Sequence, residues 1–524
     1  MTHQQQNVAE YLLDGKEDAR QALLTLQGSH SYGELRSASA DIAAYIVRAG
    51  GQKGERVVLV SDNSFFWVAA YLGILRAGLV AVPLPPVISQ QDYDYVVGLT
   101  EARFGLLQTG FAARREHRFS AGCLVADDTP PQKEGTVSTV SLTQLRAEMA
   151  NGHVDLPQVH KSDLAALMFT SGSAGKPRGV MVSHANIMAN TSSIIQYLGL
   201  TEKDRIMTVL PFHYCFGTSL LYTHLRVGGI LVLDHRFMYP EKVLERMQET
   251  RCTGFAGVPS HYQILVRKTS LRKKSFPHLR YVQQAGGHLA PVFLRELQEA
   301  LPSTRVYVMY GQTEATARLS YLPPEFLDTK LGSVGKSIPG VKLSVLKEDG
   351  REAGAGETGE IVAEGENVTQ GYWREPEETA ASFRAGKLYT GDQATVDGDG
   401  FLYIVGRNRD FVKCGGKRIG CKQLEQQLLE CDSLLEAAVI GVPDEIMGEA
   451  VKAFVVPRPG RDGVEEQLRI LCKKWLPFEL VPREIVVLSA LPKNQAGKVM
   501  KEQLRAIGET AFHTQDTAKV HGIG

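Results

Sequence analysis

The residues best equipped for chemistry form one short string, Thr170-Ser171-Gly172-Ser173-Ala174-Gly175-Lys176-Pro177-Arg178-Gly179. Small glycine and hydroxyl residues let backbone N–H groups come close to phosphate oxygens, the hydroxyls add donors, and Lys176 and Arg178 supply positive charge. This composition predicts a phosphate cradle; the competing reading of the same string is a surface hairpin. It is not a Walker A loop, because Pro177 follows Lys176 where Ser or Thr is required, and the chain runs on into the strand-like GVMV where a P-loop opens a helix. A second candidate, Tyr310-Gly311-Gln312-Thr313-Glu314, ends the apolar run VYVM. A carboxylate at a strand end facing a phosphate loop calls for a divalent cation between the two anions.

Such loops need strand ends to hold them. From Gly54 to Pro86 the chain reads as strand, helix, strand: ERVVLV, then SDNSFFWVAAYLGILRAG behind a capping Ser61 or Asp62, then LVAVPLP. The alternation recurs through LMFTSG, RIMTVLP, GGILVLD, GFAGVP, LRYVQQAGG and RVYVMYG, with helical stretches between them. This pattern predicts mostly parallel sheets covered by helices on both faces, with ligands beyond the carboxyl ends of the strands. After about Gly332 short strands and frequent turns predict an antiparallel β region. From Asp410 to about Leu504 a smaller βαβ-like unit follows, with helices over CKQLEQQLLE and VEEQLRILCKKWL. The fold class is α/β, with a large domain over 1–408, a small mobile α+β domain over 409–524, and a polar tail after Ala506 expected to be mobile.

Composition narrows the function. The chain has 524 residues, with 58 Lys and Arg against 58 Asp and Glu, so no net positive field exists to hold a nucleic acid. No apolar stretch reaches the roughly 18 residues of a membrane helix, and the start lacks a secretion-signal layout, which predicts a cytoplasmic protein without a transmembrane segment. Seven cysteines without a C-x-x-C pair read as reduced packing residues, with Cys215 the one that lines a pocket. Three strings are decoys. Asp397–Gly400 (DGDG) lacks the remaining calcium ligands and reads as a hairpin turn. Asp432-Ser433-Leu434 mimics a pantetheine-carrying serine and reads as a helix-ending turn. The cluster Arg267, Lys268, Arg272, Lys273 and Lys274 reads as a solvated face, with an acidic carrier protein or CoA phosphates as the alternative ligand.

Together with Tyr389-Thr390-Gly391-Asp392, Gly406-Arg407 and Leu491-Pro492-Lys493-Asn494-Gln495-Ala496-Gly497-Lys498, the two chemical strings resemble the acyl-adenylate-forming superfamily. That superfamily comprises acyl- and aryl-CoA synthetases, adenylation domains of peptide synthetases, and luciferases. Its phosphate loop, S-G-S-T-G-x-P-K-G, differs here by Ala174 in place of Thr, which removes a hydroxyl, and by Arg178 in place of Lys, which keeps the charge. The resemblance implies that Thr170, Ser171, Gly172, Ser173, Gly175 and Lys176 bind the phosphates of ATP. It further implies that Gly311 and Thr313 lie at the α-phosphate, that Glu314 binds Mg²⁺, and that Gly286, Gly287, His288 and Tyr310 line the adenine. Asp392 would accept hydrogen bonds from the ribose hydroxyls, and Arg407 would approach the ribose or phosphates. Lys498 would be the catalytic lysine bridging the substrate carboxylate and the α-phosphate, and Arg409 the hinge on which the small domain turns. Gly415 and Gly416 would then line the channel for the thiol acceptor, CoA or the phosphopantetheine of a carrier protein.

Leu210-Pro211-Phe212-His213-Tyr214-Cys215-Phe216-Gly217 resembles the segment bordering the carboxylate end of the acid pocket in acyl- and aryl-CoA synthetases. The resemblance assigns the acid to His213, Tyr214, Phe216, Gly217, Val258 and Gly287, with His213 also in a catalytic role. Adenylation domains for amino acids carry Asp where His213 stands, and a neutral His offers a buried ammonium no counter-charge. The expected activity is ATP-dependent formation of an acyl-AMP from a fatty or aryl acid, with pyrophosphate release, then transfer to a thiol. The competing readings are an acyl-AMP ligase loading a separate carrier protein, a P-loop kinase or ATPase, and a non-catalytic nucleotide-binding regulator.

Overall fold

The computed structural model describes residues 7–114, 119, 123–126, 138–149, 154–171, 177–407, 411–414, 417–444, 447–461, 463–494, 497 and 499–507. Two large sheets, of nine and seven strands, form the large domain. In the first, Arg205–Thr208, Ile230–Leu233, Gly254–Gly257, Tyr281–Gln284 and Arg305–Tyr310 run parallel. In the second, Arg56–Val60, Val80–Leu84, Phe104–Leu107, Cys123–Ala126 and Ser138–Ser141 do the same. Strands such as Val80–Leu84 and Ile230–Leu233 are buried at every position, as continuous apolar runs must be when helices cover both faces. Leu164–Ser171 and Pro177–Ser183 pair antiparallel, so the candidate phosphate loop joins two strands of a hairpin and no helix follows it.

The helix after the first strand starts later than the sequence predicts. It spans Phe65–Arg76, and its cap is Ser64, whose hydroxyl accepts the Trp67 amide, not Ser61 or Asp62. Ser61 instead gives its hydroxyl to the Asp62 carbonyl, and the Asp62 amide goes to the Gln108 side chain at 2.7 Å, which holds the intervening turn out of helical geometry. Asn63 in that turn has a long-range task described below.

The antiparallel region is present as predicted: Val341–Leu346, Thr358–Gly365, Lys387–Val396 and Leu402–Arg407 pair in succession. Asp397–Gly400 is its hairpin turn, with Asp397 Oδ1 accepting the amides of Asp399 and Phe401. The cation facing these carboxylates is Lys330, 2.7 Å from Asp397 and 2.5 Å from Asp399.

The small domain contains the expected βαβ element, Gly448–Pro457, Val464–Trp475 and Glu484–Val487, and adds antiparallel pairing to it. Leu434–Asp444 and Gly448–Pro457 form a long antiparallel hairpin, because the connection between them is too short for a helical crossover. Only Glu484–Val487 returns parallel, by way of the helix Val464–Trp475. Asp432 and Ser433 lie in the turn after the helix Cys421–Leu429, and Asp432 is tied to Arg458 at 2.8 Å.

The basic cluster is not a solvated face throughout. Arg267 is 1 % exposed, stacks 4.0 Å over the Phe293 ring and pairs with Glu296 at 2.5 Å. It also donates to the carbonyl of Leu434, so one buried guanidinium ties the large domain to the small one. Arg458 reaches the same Glu296 from the small domain at 3.6 Å. Around them Leu265, Phe293, Leu424 and Leu434 share one core. Arg272 and Lys274 are paired too, with Glu299 at 3.0 Å and Glu241 at 3.9 Å.

His184, His213 and His224 are buried, His261 and His288 are half-buried, and all five imidazoles are held neutral. Loss of hydration pushes His184, His224 and His288 down to about 4, and His213 and His261 down to about 3. Unfolded, each would titrate near ~6.5. Between the folded and unfolded values the unfolded chain binds more protons. The stability they contribute is therefore full above about pH 6.5 and is lost as the pH falls towards 4, at up to ~1.4 kcal/mol per pH unit for each ring. A melting series from pH 7.5 to 5 is expected to show the midpoint falling steeply below about pH 6.5; a flat series would mean that these rings are not buried as described.

Candidate active site

Three residues far apart in the chain meet at one carboxylate. Tyr310 ends its strand, Asp392 sits on Lys387–Val396, and Arg407 is its register partner at the end of Leu402–Arg407. Tyr310 Oη donates to Asp392 Oδ2 at 2.8 Å, and Arg407 Nε donates to Asp392 Oδ1 at 2.8 Å. Asp392 is buried, and its charge holds the Arg407 proton more firmly than in water. Burial, reinforced by Asp392, pushes the Tyr310 phenol well up, so it stays a donor. Each carboxylate oxygen keeps a lone pair for a further donor, which suits a diol such as a ribose. The Gly391 amide is fixed by Glu360 Oε1 at 2.8 Å, so the turn before Asp392 is held as well.

Thr313 and Glu314 lie in the 3₁₀ turn Thr313–Ala315 that follows Tyr310 and Gly311. Thr313 Oγ1 donates to Cys215 Sγ at 3.4 Å, which joins this turn to the PFHYCFG segment. Glu314 Oε1 accepts the Tyr372 hydroxyl at 2.9 Å, while its backbone carbonyl takes both the amide and the hydroxyl of Thr369 at 3.0 Å. The other carboxylate oxygen makes no hydrogen bond to a described residue, so Glu314 is oriented with one oxygen to spare for a hard cation such as Mg²⁺.

Arg178 does not serve as the free charge that its place in the string suggests. Glu375 at 3.1 Å and Glu378 at 2.9 Å hold it, and it stands 5.8 Å from the Tyr372 ring centroid. Two carboxylates arriving from another segment neutralise it, which residue spacing could not reveal. Thr170 is paired in register with Arg178 at the strand ends. Ser171 closes that strand, and Gly172, Ser173, Gly175 and Lys176 lie outside the described residues, as do Arg409, Gly415, Gly416 and Lys498.

The acid-side segment is pinned by Asn63, which the sequence offered no signal for. Its Nδ2 donates to the Leu210 carbonyl at 2.8 Å and its Oδ1 accepts the Phe212 amide at 2.9 Å. His213 is buried against Tyr214, ring centroids 4.4 Å apart, and its Nε2 has no partner among the described residues. A ring that titrates near 3 is neutral, as the sequence reading required. Phe216 and Gly217 lie in the first turn of the helix Cys215–Val227.

Gly286, Gly287, His288 and Arg407 share a cavity of about 410 Å³ with Lys422, Asn494 and Gly497 of the small domain. Gly497 closes on the large domain more tightly than any side chain would allow: a Cβ there would stand 2.8 Å from Val258 Cγ2, and φ is +74°. The residue immediately before Lys498 thus abuts a wall of the expected acid pocket. His288 and Gln426 touch across the same cavity, and nearby Lys422 adds to burial in keeping the His288 ring neutral.

The family model of AMP-binding enzymes matches residues 14–373, and that of the AMP-binding enzyme C-terminal domain matches 423–498. The chain belongs to the AMP-binding enzyme family. It is an AMP-forming ligase of the acid–thiol class. Among its relatives, a feruloyl-CoA synthase from Amycolatopsis sp. is 30 % identical over 91 % of this chain and 93 % of its own. An oxalate–CoA ligase from Arabidopsis thaliana is 29 % identical over 86 % of this chain and 88 % of its own. The o-succinylbenzoate coenzyme A synthetase of Bacillus subtilis, solved with ATP and magnesium ion, superposes with a TM-score of 0.80 at 27 % identity over 96 % of this chain and 99 % of that one. ATP and Mg²⁺ are the family's reactants, and the oriented Glu314 and the Tyr310–Asp392–Arg407 cluster are chemically suited to them. Among the described residues no helix is long and apolar enough to cross a membrane.

Proposed function

We propose that this enzyme activates a fatty or aryl carboxylic acid without an α-amine and passes the acyl group to CoA. The acid's carboxylate oxygen attacks the α-phosphorus of ATP, the bond from that phosphorus to the bridging oxygen breaks, and pyrophosphate leaves. A thiol that has given up its proton then attacks the acyl carbon, a C–S bond forms, and AMP departs. Two anions must approach for the first step, so positioning and neutralisation of charge are the main tasks of the protein. In this reading Lys498 neutralises, Glu314 holds the Mg²⁺ that offsets phosphate charge, Thr313 touches the α-phosphate, and Asp392 with Arg407 orients the ribose. Thr170, Ser171 and the glycine-rich loop cradle the outer phosphates.

One observation carries the reading: Gly497, the residue before Lys498, lies against Val258, at the cavity that also holds Arg407 and Gly286. Neutral His213 supports an acid without an ammonium group, and the many relatives named as CoA ligases support CoA as acceptor. For the second step, rotation about Arg409 would withdraw Lys498 and bring Gly415 and Gly416 to the thiol. Incubation with ATP, magnesium and a panel of alkyl and aryl acids is expected to release AMP and pyrophosphate, and a thioester once CoA is added. ADP and phosphate as products would overturn it; a thioester formed only with a phosphopantetheine-bearing carrier would replace CoA by that carrier.

A further inference from the structure

Among the described residues Arg318 is a buried cation with no carboxylate paired to it. It is 1 % exposed, and its backbone carbonyl is gripped by Asn190 Nδ2 at 3.1 Å and Asn367 Nδ2 at 3.0 Å, which fixes its Cα. Its guanidinium carbon stands 4.0 Å from the centroid of the Phe216 ring. Nη1 has a long contact of 3.4 Å to the Ala317 carbonyl, whereas Nε and Nη2 have no hydrogen-bond partner among the described residues. Tyr197, whose hydroxyl also faces the guanidinium as a polar partner, and Cys215 are the neighbours that favour its charge, and both are neutral: burial pushes the Cys215 thiol up and the Tyr197 phenol up to about 12. Tyr197 gives its proton to Met309 Sδ at 3.1 Å.

Which nitrogens are free matters. Nε and Nη2 lie on one edge of the planar guanidinium and present parallel N–H bonds, the fork that a carboxylate accepts in bidentate fashion. A guanidinium out of water with this edge empty is costly unless something occupies it. Its position tells where that occupant would sit. Phe216 and Cys215 belong to the acid-side segment, and Cys215 Sγ accepts the Thr313 hydroxyl. Arg318 therefore stands against the acid-side segment, with Nε and Nη2 unpartnered among the described residues.

We infer that Arg318 binds a second carboxylate of the acid substrate, so that the enzyme activates one carboxylate of a dicarboxylic acid while Arg318 holds the other. The assignment rests on the ligase reading above and narrows its substrate class: the alkyl or aryl body remains, with a second anionic group. It also deepens the exclusion of α-amino acids, since a buried guanidinium repels an ammonium group.

Matched sets of acids test this in acid-dependent ATP–pyrophosphate exchange with the full chain: a dicarboxylate, its monomethyl ester, and the monocarboxylate of equal length, in aliphatic and aromatic series. The dicarboxylate is expected to exceed both partners in kcat/KM by at least about 100-fold, because a site built to hydrogen-bond a group rejects the analogue that lacks it. Arg318→Met is expected to collapse that ratio towards one, and Arg318→Lys to retain part of it. Equal use of ester and dicarboxylate by the native enzyme, or an unchanged ratio in Arg318→Met with only a lowered melting temperature, would make Arg318 a structural residue and leave the ligase reading intact. Should Arg318→Met not fold, the native ratio and Arg318→Lys decide. No exchange with any acid would instead remove the ligase reading, and this inference with it.

Discussion

Replacing Lys498 by alanine is expected to lower acid-dependent pyrophosphate exchange by roughly 10²–10³-fold, the usual cost of removing one preorganised donor from a developing anion. The physical reason is repulsion. A carboxylate and a phosphate oxygen about 4 Å apart oppose each other by roughly 4 kcal/mol at an effective dielectric of about 20, and a cation between them reverses that sign. In the proposed reading Val258 is a wall of the acid pocket, and Gly497, next to Lys498, packs against it. Thioester formation from preformed acyl-AMP and CoA has no such pair of anions to bring together and is expected to change by less than about 10-fold. Measuring the two half-reactions separately gives the check. Undiminished exchange would remove Lys498 from the chemistry and, with it, the basis of the proposed mechanism.

Gly311→Ala is expected to be equally damaging by a steric route. A Cβ at this position would stand 2.1 Å from the Ala317 carbonyl oxygen and 2.8 Å from the Arg318 Cα, and both are backbone atoms that no rotamer change can move. The turn carrying Thr313 and Glu314 must shift to make room. Displacing a reacting group by about 1 Å costs on the order of 10²-fold in rate, and overpacking adds about 1–3 kcal/mol of destabilisation. Exchange should fall by at least about 100-fold while the protein remains folded by circular dichroism. Gly98→Ala is the control: this glycine lies in the helix Gln90–Thr100, nothing stands within 4 Å of its added Cβ, and the change should leave activity intact. Wild-type activity in Gly311→Ala would mean that the turn relaxes freely and does not position the site.

How far the residues could be read in advance depended on the range of the interaction. The parallel sheets, the hairpin beneath the phosphate string and the antiparallel region follow from apolar runs and turn residues a few positions apart, and each is present. The start of the helix Phe65–Arg76 was misplaced because four consecutive polar residues, Ser61 to Ser64, can each cap, and the choice of Ser64 depends on Gln108, which occupies the Asp62 amide. The βαβ element of the small domain is likewise present, in Gly448–Pro457, Val464–Trp475 and Glu484–Val487. Arg178 and Arg267 were both given to solvent or ligand, and both are claimed by carboxylates distant in sequence: Glu375 and Glu378 for the first, Glu296 for the second. Asn63 and Tyr372 carried no sequence signal, because their tasks are bonds to a backbone segment and to a carboxylate that only folding brings near.

By itself the sequence determined the chemical inventory: a glycine- and hydroxyl-rich loop, a Thr-Glu pair at a strand end, an acceptor-only Asp, and a lysine near the carboxyl terminus. Those follow from residue type and short spacing, which fix local backbone shape and donor capacity. Only the tertiary structure decided which charges are available. It satisfies Arg178, binds Arg407 to Asp392 together with Tyr310, and leaves Nε and Nη2 of Arg318, beside Phe216, without a hydrogen-bond partner among the described residues. The reason is that a charge taken out of water is worth whatever stands within a few ångströms of it, and sheet packing sets those neighbours across long stretches of chain.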